Sequence, residues 1–339
     1  MTPEVSVIIP LYNAAAFIGR TIDSVGSQTF ADWELIVVDD GSSDDSAAVA
    51  AERVAADPRM RLVRQPNSFV CAARNNGYAH ASSESEYVLF LDADDVLYPN
   101  FLETLVGYLD ARPEVGTAFC SLQTIDPFDE PIYEAGFAED WHVRFAPTRT
   151  WFRRVAVDEP EVSLAETVAG FHAIPSCTLI RRAVYARSCG WDESFRNCSE
   201  DADLVIRLAL LAPVHFLPLR LVGYRRHPSN SSSVRLWIGL KQLRAKWLTS
   251  ERPVAGVSVS DLARVRKAFT FDRKLTAYLQ ARVALHAVAR RDPRTARVEL
   301  QRAMRSLSAY ALLRARFGTL QRPRGLRLSP RVANAGSDA

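Results

Sequence analysis

Four short apolar runs rich in β-branched residues recur through the first 120 positions: Val5–Pro10, Glu34–Val38, Arg61–Arg64 and Tyr87–Leu91. Between and after them, Ala16–Gln28, Asp44–Ala56, Ala72–Ser82 and Asn100–Ala111 place apolar residues at helical spacing. This alternation predicts a parallel α/β sheet, and strands this continuously apolar predict one covered on both faces. From about residue 115 to 180 the period is lost among Pro127, Pro131, Pro147, Pro160 and Pro175, so long loops and antiparallel strands are expected. Glu200–Leu211 again reads as a helix, followed by a strand pair, Val214–Phe216 and Leu221–Arg226. Beyond Ser231, helical period returns in Leu236–Leu248, Ser260–Ala289 and Ala296–Phe317, and Arg322–Ala339 has the composition of a disordered tail. The expected organisation is therefore an α/β body over 1–234, a helical region over 235–321 and a tail over 322–339.

Charge sharpens that division. The 339 residues carry 42 Lys+Arg and 39 Asp+Glu. Residues 1–234 hold 19 arginines, no lysine and 33 acidic side chains, a balance of −14, whereas 235–339 hold 23 basic and 6 acidic ones, a balance of +17. An acidic body thus precedes a basic extension. Five cysteines, Cys71, Cys120, Cys177, Cys189 and Cys198, contain no CxxC pair, which argues against a zinc or redox centre and fits a reducing cytoplasm. The N-terminus enters its first apolar run without a basic leader and reads as a strand. The longest apolar stretch, Leu208–Val222, is interrupted by Pro213, His215, Pro218 and Arg220, short of the roughly 20 apolar residues that a membrane span needs.

Candidate chemistry collects where strands end. Asp39-Asp40-Gly-Ser follows the second strand at the edge where open α/β sheets bind ligands. It can be a plain turn with a helix cap, or a pair of acceptors for the donors of a base or ribose. Asp92-Ala-Asp94-Asp95 follows the fourth strand. Three carboxylates in four positions repel one another unless cations neutralise them, and hard oxygen ligands at an open edge suit Mg²⁺ or Mn²⁺; Asp95 can equally be only a cap. Glu200-Asp201-Ala-Asp203 opens a helix whose dipole favours acidic residues there, but a carboxylate beside an acceptor hydroxyl can also serve as general base. His227, at the end of the acidic body, is either a structural histidine or a group that completes a metal shell or meets a phosphate. Absence of GxxxxGK[ST], of GxGxxG after the first strand, of HExxH and of GxSxG disfavours P-loop, dinucleotide, zinc-peptidase and α/β-hydrolase chemistry.

Taken in order, Val5–Asn13, Trp33–Ser42, Ala73–Gly77, Leu91–Asp95, Gly190–Phe195, Glu200-Asp201 and Tyr224–His227 resemble the family 2 glycosyltransferases of GT-A fold, over roughly residues 4–233. That resemblance implies a mixed Rossmann-like α/β sheet and inverting transfer of a sugar from a nucleotide-diphosphate donor, with a uridine nucleotide the commonest in the family. It implies Pro10, Tyr12, Asp40 and Arg74 around the nucleotide, with Arg74 at the base or diphosphate and Asp92 at the ribose or the metal's waters. Asp94 would bind Mg²⁺ or Mn²⁺ with Asp92, and His227 would approach the metal or diphosphate. Asp201 would be the catalytic base, and Glu200 would orient the acceptor. A single-displacement transfer needs only one such base, whereas a retaining glycosidase needs a second carboxylate about 5 Å from the first.

Two departures stand out. Asn67-Ser-Phe-Val-Cys-Ala-Ala73 replaces the glycine-rich approach usual before the equivalent of Arg74, and the QxxRW element of processive synthases is missing, so one sugar per encounter is expected. The expected acceptor is a glycan or lipid-linked molecule of cell-surface polysaccharide or glycoconjugate assembly. The basic extension would either hold the enzyme peripherally on the anionic inner face of the membrane or pack on the body as a helical cap. A nucleotidyltransferase would also use a metal-bound acidic edge, but no triphosphate loop is evident. Nucleic-acid binding through the extension lacks any aromatic–basic interleaving.

Overall fold

The computed structural model describes residues 2–132, 160–168, 174–195, 199–228, 243, 245–249 and 257–269. By its contacts the chain divides into two units, Met1–Phe269 and Thr270–Ala339, and the second lies outside the described residues. So do most of the expected C-terminal helices and the tail.

The expected alternation is present as β1 (Val5–Leu11), α1 (Ile18–Gly26), β2 (Trp33–Asp39), α2 (Ser46–Val54), β3 (Met60–Arg64), α3 (Phe69–His80), β4 (Tyr87–Phe90), β5 (Val96–Leu97) and α4 (Phe101–Asp110). After these come β6 (Thr117–Ile125), α5 (Leu164–Val168), a 3₁₀ turn (Pro175–Cys177), β7 (Thr178–Arg181), α6 (Arg182–Arg187), α7 (Glu200–Leu211) and β8 (Val214–Arg225). The eight strands form one sheet in the order β3-β2-β1-β4-β7-β6-β8-β5. β1 to β4 are mutually parallel, whereas β7 runs antiparallel to β4 and β6, and β5 antiparallel to β8.

Every residue of β1, β2 and β4 is buried, as strands covered on both faces require. Val5, Val7, Ile9 and Leu11 join Ile18, Ile22 and Val25 of α1 and Leu102, Leu105 and Leu109 of α4 in one core. On the opposite face α3 comes so close that a Cβ at Gly77 would lie 2.4 Å from Ile8 Cγ2 and 3.1 Å from Val38 Cγ2. Glycine there lets the helix sit directly on β1 and on β2, whose end carries Asp39 and leads into Asp40.

The expected strand pair after α7 is corrected to a single strand. β8 pairs in parallel with β6 along its length, with Leu217 opposite Cys120 but Arg220 opposite Ser121. Pro218 has no N–H to offer the ladder, so the register slips there and pairing resumes beyond it. The slip keeps the strand continuous and delivers its far end, Arg225 to His227, beside the end of β4.

Candidate active site

Two parallel strands end together at Leu11 and Asp39, and the Asp40 N–H donates to the Leu11 carbonyl at 2.8 Å. Asp40 is buried; its Oδ1 accepts from Gln65 Nε2 (2.7 Å) and from the Ser68 backbone N–H (2.8 Å). Gly41 follows with φ +75°, where a Cβ would meet the Asn67 nitrogen at 2.9 Å, so the turn can close only with glycine. Pro10 is buried in β1 opposite Val38, and the next side chain but one, Tyr12, is half exposed over this strand end.

At the end of β4, Ser176 Oγ accepts from the Asp92 N–H (3.2 Å) and donates to Asp95 Oδ2 (2.6 Å). The other Asp95 oxygen accepts from the Arg225 N–H at 3.1 Å. Asp95 is fully buried, and burial together with the charges of Asp94 and Asp92 pushes its carboxyl well above the usual range. It is a fastener between β4, the 3₁₀ turn and β8, not the helix cap that its position also permitted. Arg225, buried in β8, reinforces the joint by donating from Nε to the Asp94 carbonyl (2.8 Å) and from Nη1 to the Asp126 carbonyl (3.1 Å).

That joint presents Asp92 and Asp94 at the edge. His227 Nε2 lies 2.9 Å from Asp94 Oδ2, and its ring stacks on Phe17 with centroids 4.5 Å apart. Arg74, buried in α3, donates from Nη2 to Asp92 Oδ1 (2.7 Å) and from Nη1 to Glu200 Oε1 (3.3 Å), with its guanidinium 4.2 Å above the Trp191 ring. Burial alone would lower the Arg74 pKa, but the charges of Asp92 and Glu200 hold it above the ordinary value. The same burial raises Asp92, where Asp94 adds to the effect and Arg74 opposes it. Glu200 is raised by burial and then by the neighbouring Asp201 charge.

Glu200 and Asp201 open α7 after Ser199, whose φ of 63° turns the chain sharply into the helix. Asp203, one turn in, is completely buried. It binds Arg207 (2.9 Å), Lys246 Nζ (2.8 Å) and Trp247 Nε1 (2.9 Å).

Sequence-expected residues from six separate stretches therefore gather at this edge of the sheet. Arg74 bonds Asp92 and Glu200, His227 bonds Asp94 two residues along from Asp92, Asp201 adjoins Glu200 at the head of α7, and Asp40 and Tyr12 occupy the neighbouring strand end. Among the described residues, no group of three or more His, Cys, Asp or Glu side chains forms a ready metal cluster. Ser176, Trp191, Arg225, Lys246 and Trp247 were not singled out from sequence. Trp191 and Arg225 do lie inside the motifs Gly190–Phe195 and Tyr224–His227, which marked their neighbourhoods though not their roles.

The family model described as glycosyl transferase family 2 matches residues 6–188. An uncharacterized glycosyltransferase of Nostoc sp., alr2836, is 38% identical over 229 residues, covering 67% of this chain and 66% of the relative. The uncharacterized glycosyltransferase YibD of Escherichia coli is 41% identical over 105 residues, covering 31% and 30%. The match thus spans about a third of the Escherichia coli protein and about two thirds of the Nostoc one. Among solved structures, S. aureus TarS residues 1–349 in complex with UDP-GlcNAc superposes with a TM-score of 0.56 at 16% identity, covering 89% of this chain and 91% of that one. The mannosyltransferase PcManGT from Pyrobaculum calidifontis, in complex with GDP-Man and Mn2+, gives 0.54 at 18% identity over 92% and 87%. With that family match over more than half its length and an eight-stranded mixed sheet shared with solved glycosyltransferases, this chain belongs to glycosyl transferase family 2 and has the GT-A fold.

Proposed function

We propose that the chain is an inverting glycosyltransferase that moves a sugar from a nucleotide-diphosphate donor to an acceptor hydroxyl with the help of a divalent cation. The observation that carries this reading is the Arg74 guanidinium bound at once to Asp92, at the end of β4, and to Glu200, at the head of α7. One buried cation thereby ties a donor-side carboxylate to an acceptor-side carboxylate and brings Asp201 to the same edge.

In this reading the nucleotide lies over the ends of β1 and β2, with its base against Pro10 and Tyr12 and hydrogen-bonded to Asp40. Asp92 meets the ribose or the waters of the metal. Asp94, Asp92 and His227 offer two carboxylates and an imidazole, a donor set suited to Mg²⁺ or Mn²⁺ that keeps waters and shares phosphate oxygens. A bound cation supplies positive charge to the departing diphosphate without a proton donor. Arg74, pinned between two carboxylates and an indole, holds the frame on which those groups stand and adds positive potential beside the diphosphate. Asp201 takes the proton from the acceptor hydroxyl as it attacks, and Glu200 orients that hydroxyl. One base and one displacement give inversion, so an α-linked donor yields a β-linked product.

A uridine-diphosphate sugar is the favoured donor, and a glycan or lipid-linked alcohol of surface-polysaccharide or glycoconjugate assembly the favoured acceptor. A cytoplasmic site of action, with basic residues of the stretch 235–339 other than Lys246 against the anionic inner leaflet, fits the charge division of the sequence. Among the described residues, no helix is long and apolar enough to cross a membrane. The test is release of nucleoside diphosphate from a panel of nucleotide sugars, with and without Mn²⁺. Cation-dependent release from at least one donor is expected. Cation-independent release would remove the metal from the mechanism, and no release from any donor, with pyrophosphate formed from a nucleoside triphosphate instead, would replace the reading.

A further inference from the structure

We infer that Lys246 and Trp247, beyond the last strand of the sheet, are positioning residues that lock the head of α7 against the loop supporting Arg74. The inference rests on the reading of Glu200 and Asp201 as acceptor-side groups. Lys246 Nζ donates to Asp203 (2.8 Å) and to Asp192 (2.7 Å), and Trp247 Nε1 donates to the other Asp203 oxygen (2.9 Å). Asp203 lies two residues after Asp201 and three after Glu200, one turn along the same helix. Asp192 follows Trp191 directly, and Trp191 is the ring on which the Arg74 guanidinium rests. The loop is tied back to α3 as well, because the Asn75 amide donates to the Trp191 carbonyl (2.9 Å) while its oxygen accepts from the Trp191 N–H (2.9 Å).

One ammonium therefore bridges the two supports of the Arg74–Glu200 pair: the helix that bears Glu200 and the loop that bears the indole beneath Arg74. Asp203 is completely buried and Trp247 completely covered, and Arg207 completes a quartet of two anions and two cations that balances in charge. Such a quartet acts as a register device, because a buried carboxylate that takes donors from its own helix and from the Ala245–Thr249 turn is satisfied in one arrangement only. Lys246 and Trp247 sit in a five-residue π turn, Ala245–Thr249, within the stretch that charge alone sets apart as a basic extension. That turn is fixed in place by Arg266, whose Nε donates to the Trp247 carbonyl at 3.2 Å. The first residues of the extension thus have a task at the active site that is separate from any contact with a membrane.

The test compares full-length Lys246→Met and Lys246→Arg with the unmodified protein by two readouts. The first is amide hydrogen exchange across Ser199–Arg207, with β1 and β2 as internal reference. Lys246→Met is expected to speed exchange at the head of α7 at least about 10-fold while the sheet is unchanged, and Lys246→Arg to restore most of the protection. The second is turnover at saturating nucleotide sugar, expected to fall about 10-fold in Lys246→Met while the affinity for nucleoside diphosphate with Mn²⁺ stays within about 2-fold. Unchanged exchange in Lys246→Met overturns the inference whatever the activity. A loss of turnover that only tracks a loss of nucleotide-binding protein overturns it too. If exchange rises and arginine reverses it, but the unmodified protein turns over no nucleotide sugar, the lock stands and the proposed function falls. Should Lys246→Met fail to fold, Trp247→Phe, which removes one donor and keeps the ring, carries the same two expectations at a smaller scale.

Discussion

Arg74 shows how much one side chain can organise when it is buried between carboxylates. Its guanidinium bridges Asp92 and Glu200, and a planar fork does this in a way that an ammonium cannot. Arg74→Lys is therefore expected to keep the charge but lose one of the two bonds, with turnover falling about 10-fold or more; wild-type turnover in that variant would remove the bridge from the account. Asp201→Asn should fold and bind nucleotide as before, yet lose at least about 10²-fold in rate if it is the base. A turnover equal to wild type would end that assignment. Asp192, which has no part in the proposed proton transfer, gives a pH signature of its own. Burial alone would raise its pKa, but hydrogen bonds from Lys246 and Ser194 outweigh that and hold it at about 2. Its stabilising contribution is therefore fully present above the ordinary aspartate value and is lost as pH falls through about 4 toward 2. The difference in melting temperature between the unmodified protein and Asp192→Asn should accordingly be largest near neutrality and shrink steadily on acidification, reflecting about 2 kcal/mol at most. A difference independent of pH would contradict the ion pair.

At the scale of elements, the first half of the sheet is readable because β1, β2 and β4 are buried on both faces and α1 and α4 each show one apolar stripe. α1 buries Ile18, Thr21, Ile22 and Val25, and α4 buries Phe101, Leu105, Val106 and Leu109, so the period marks both helices to within two residues at either end. α3 begins three residues earlier than its pattern suggested, at Phe69, a non-glycine residue with φ 69°. β5 is two residues long and β8 is carried past Pro218 by pairing with β6, and neither fact has a local signature. The same divide runs through the site. Asp40, Asp92, Asp94, Glu200, Asp201 and His227 stand in short motifs that can be recognised where they lie. Ser176 acts on a carboxylate 81 residues away, Arg225 on the backbone carbonyl of Asp94 131 residues away, and Lys246 on Asp203 at 43, so no window of sequence displays them. The close seating of α3 makes a direct prediction at this scale. Gly77→Ala inserts a methyl 2.4 Å from Ile8 Cγ2 and should destabilise by about 1–3 kcal/mol, visible as a lower urea midpoint. An unchanged midpoint would mean that the helix does not lie as close to β1 and β2 as described.

For the whole molecule, the small net charge of +3 conceals two chemically different parts. The acidic part contains the strand ends and helix head that gather the carboxylates, and its compact unit continues to Phe269, past the point where the charge changes sign. Part of the basic sequence is thus used internally, as the ammonium of Lys246 is, before the remainder begins. Full-length protein is expected to sediment with vesicles containing anionic lipid at low salt and to be released at high salt, since each basic residue near such a surface contributes about 1 kcal/mol and screening removes it. Failure to sediment at low salt would assign the extension another role. The central claim, that the carboxylate edge built by β4, α7 and His227 handles a nucleotide sugar with a divalent cation, is tested most directly by thermal stabilisation across a panel of nucleotide sugars with and without Mn²⁺. A ligand that binds only the folded chain stabilises it by mass action, by about 2.7 kcal/mol at a hundredfold excess over the dissociation constant, and so raises its melting temperature. The account predicts a Mn²⁺-dependent rise with at least one nucleotide sugar, abolished in Asp94→Asn but kept in Asp201→Asn. Stabilisation that is equal with and without Mn²⁺, or that survives Asp94→Asn undiminished, would contradict it.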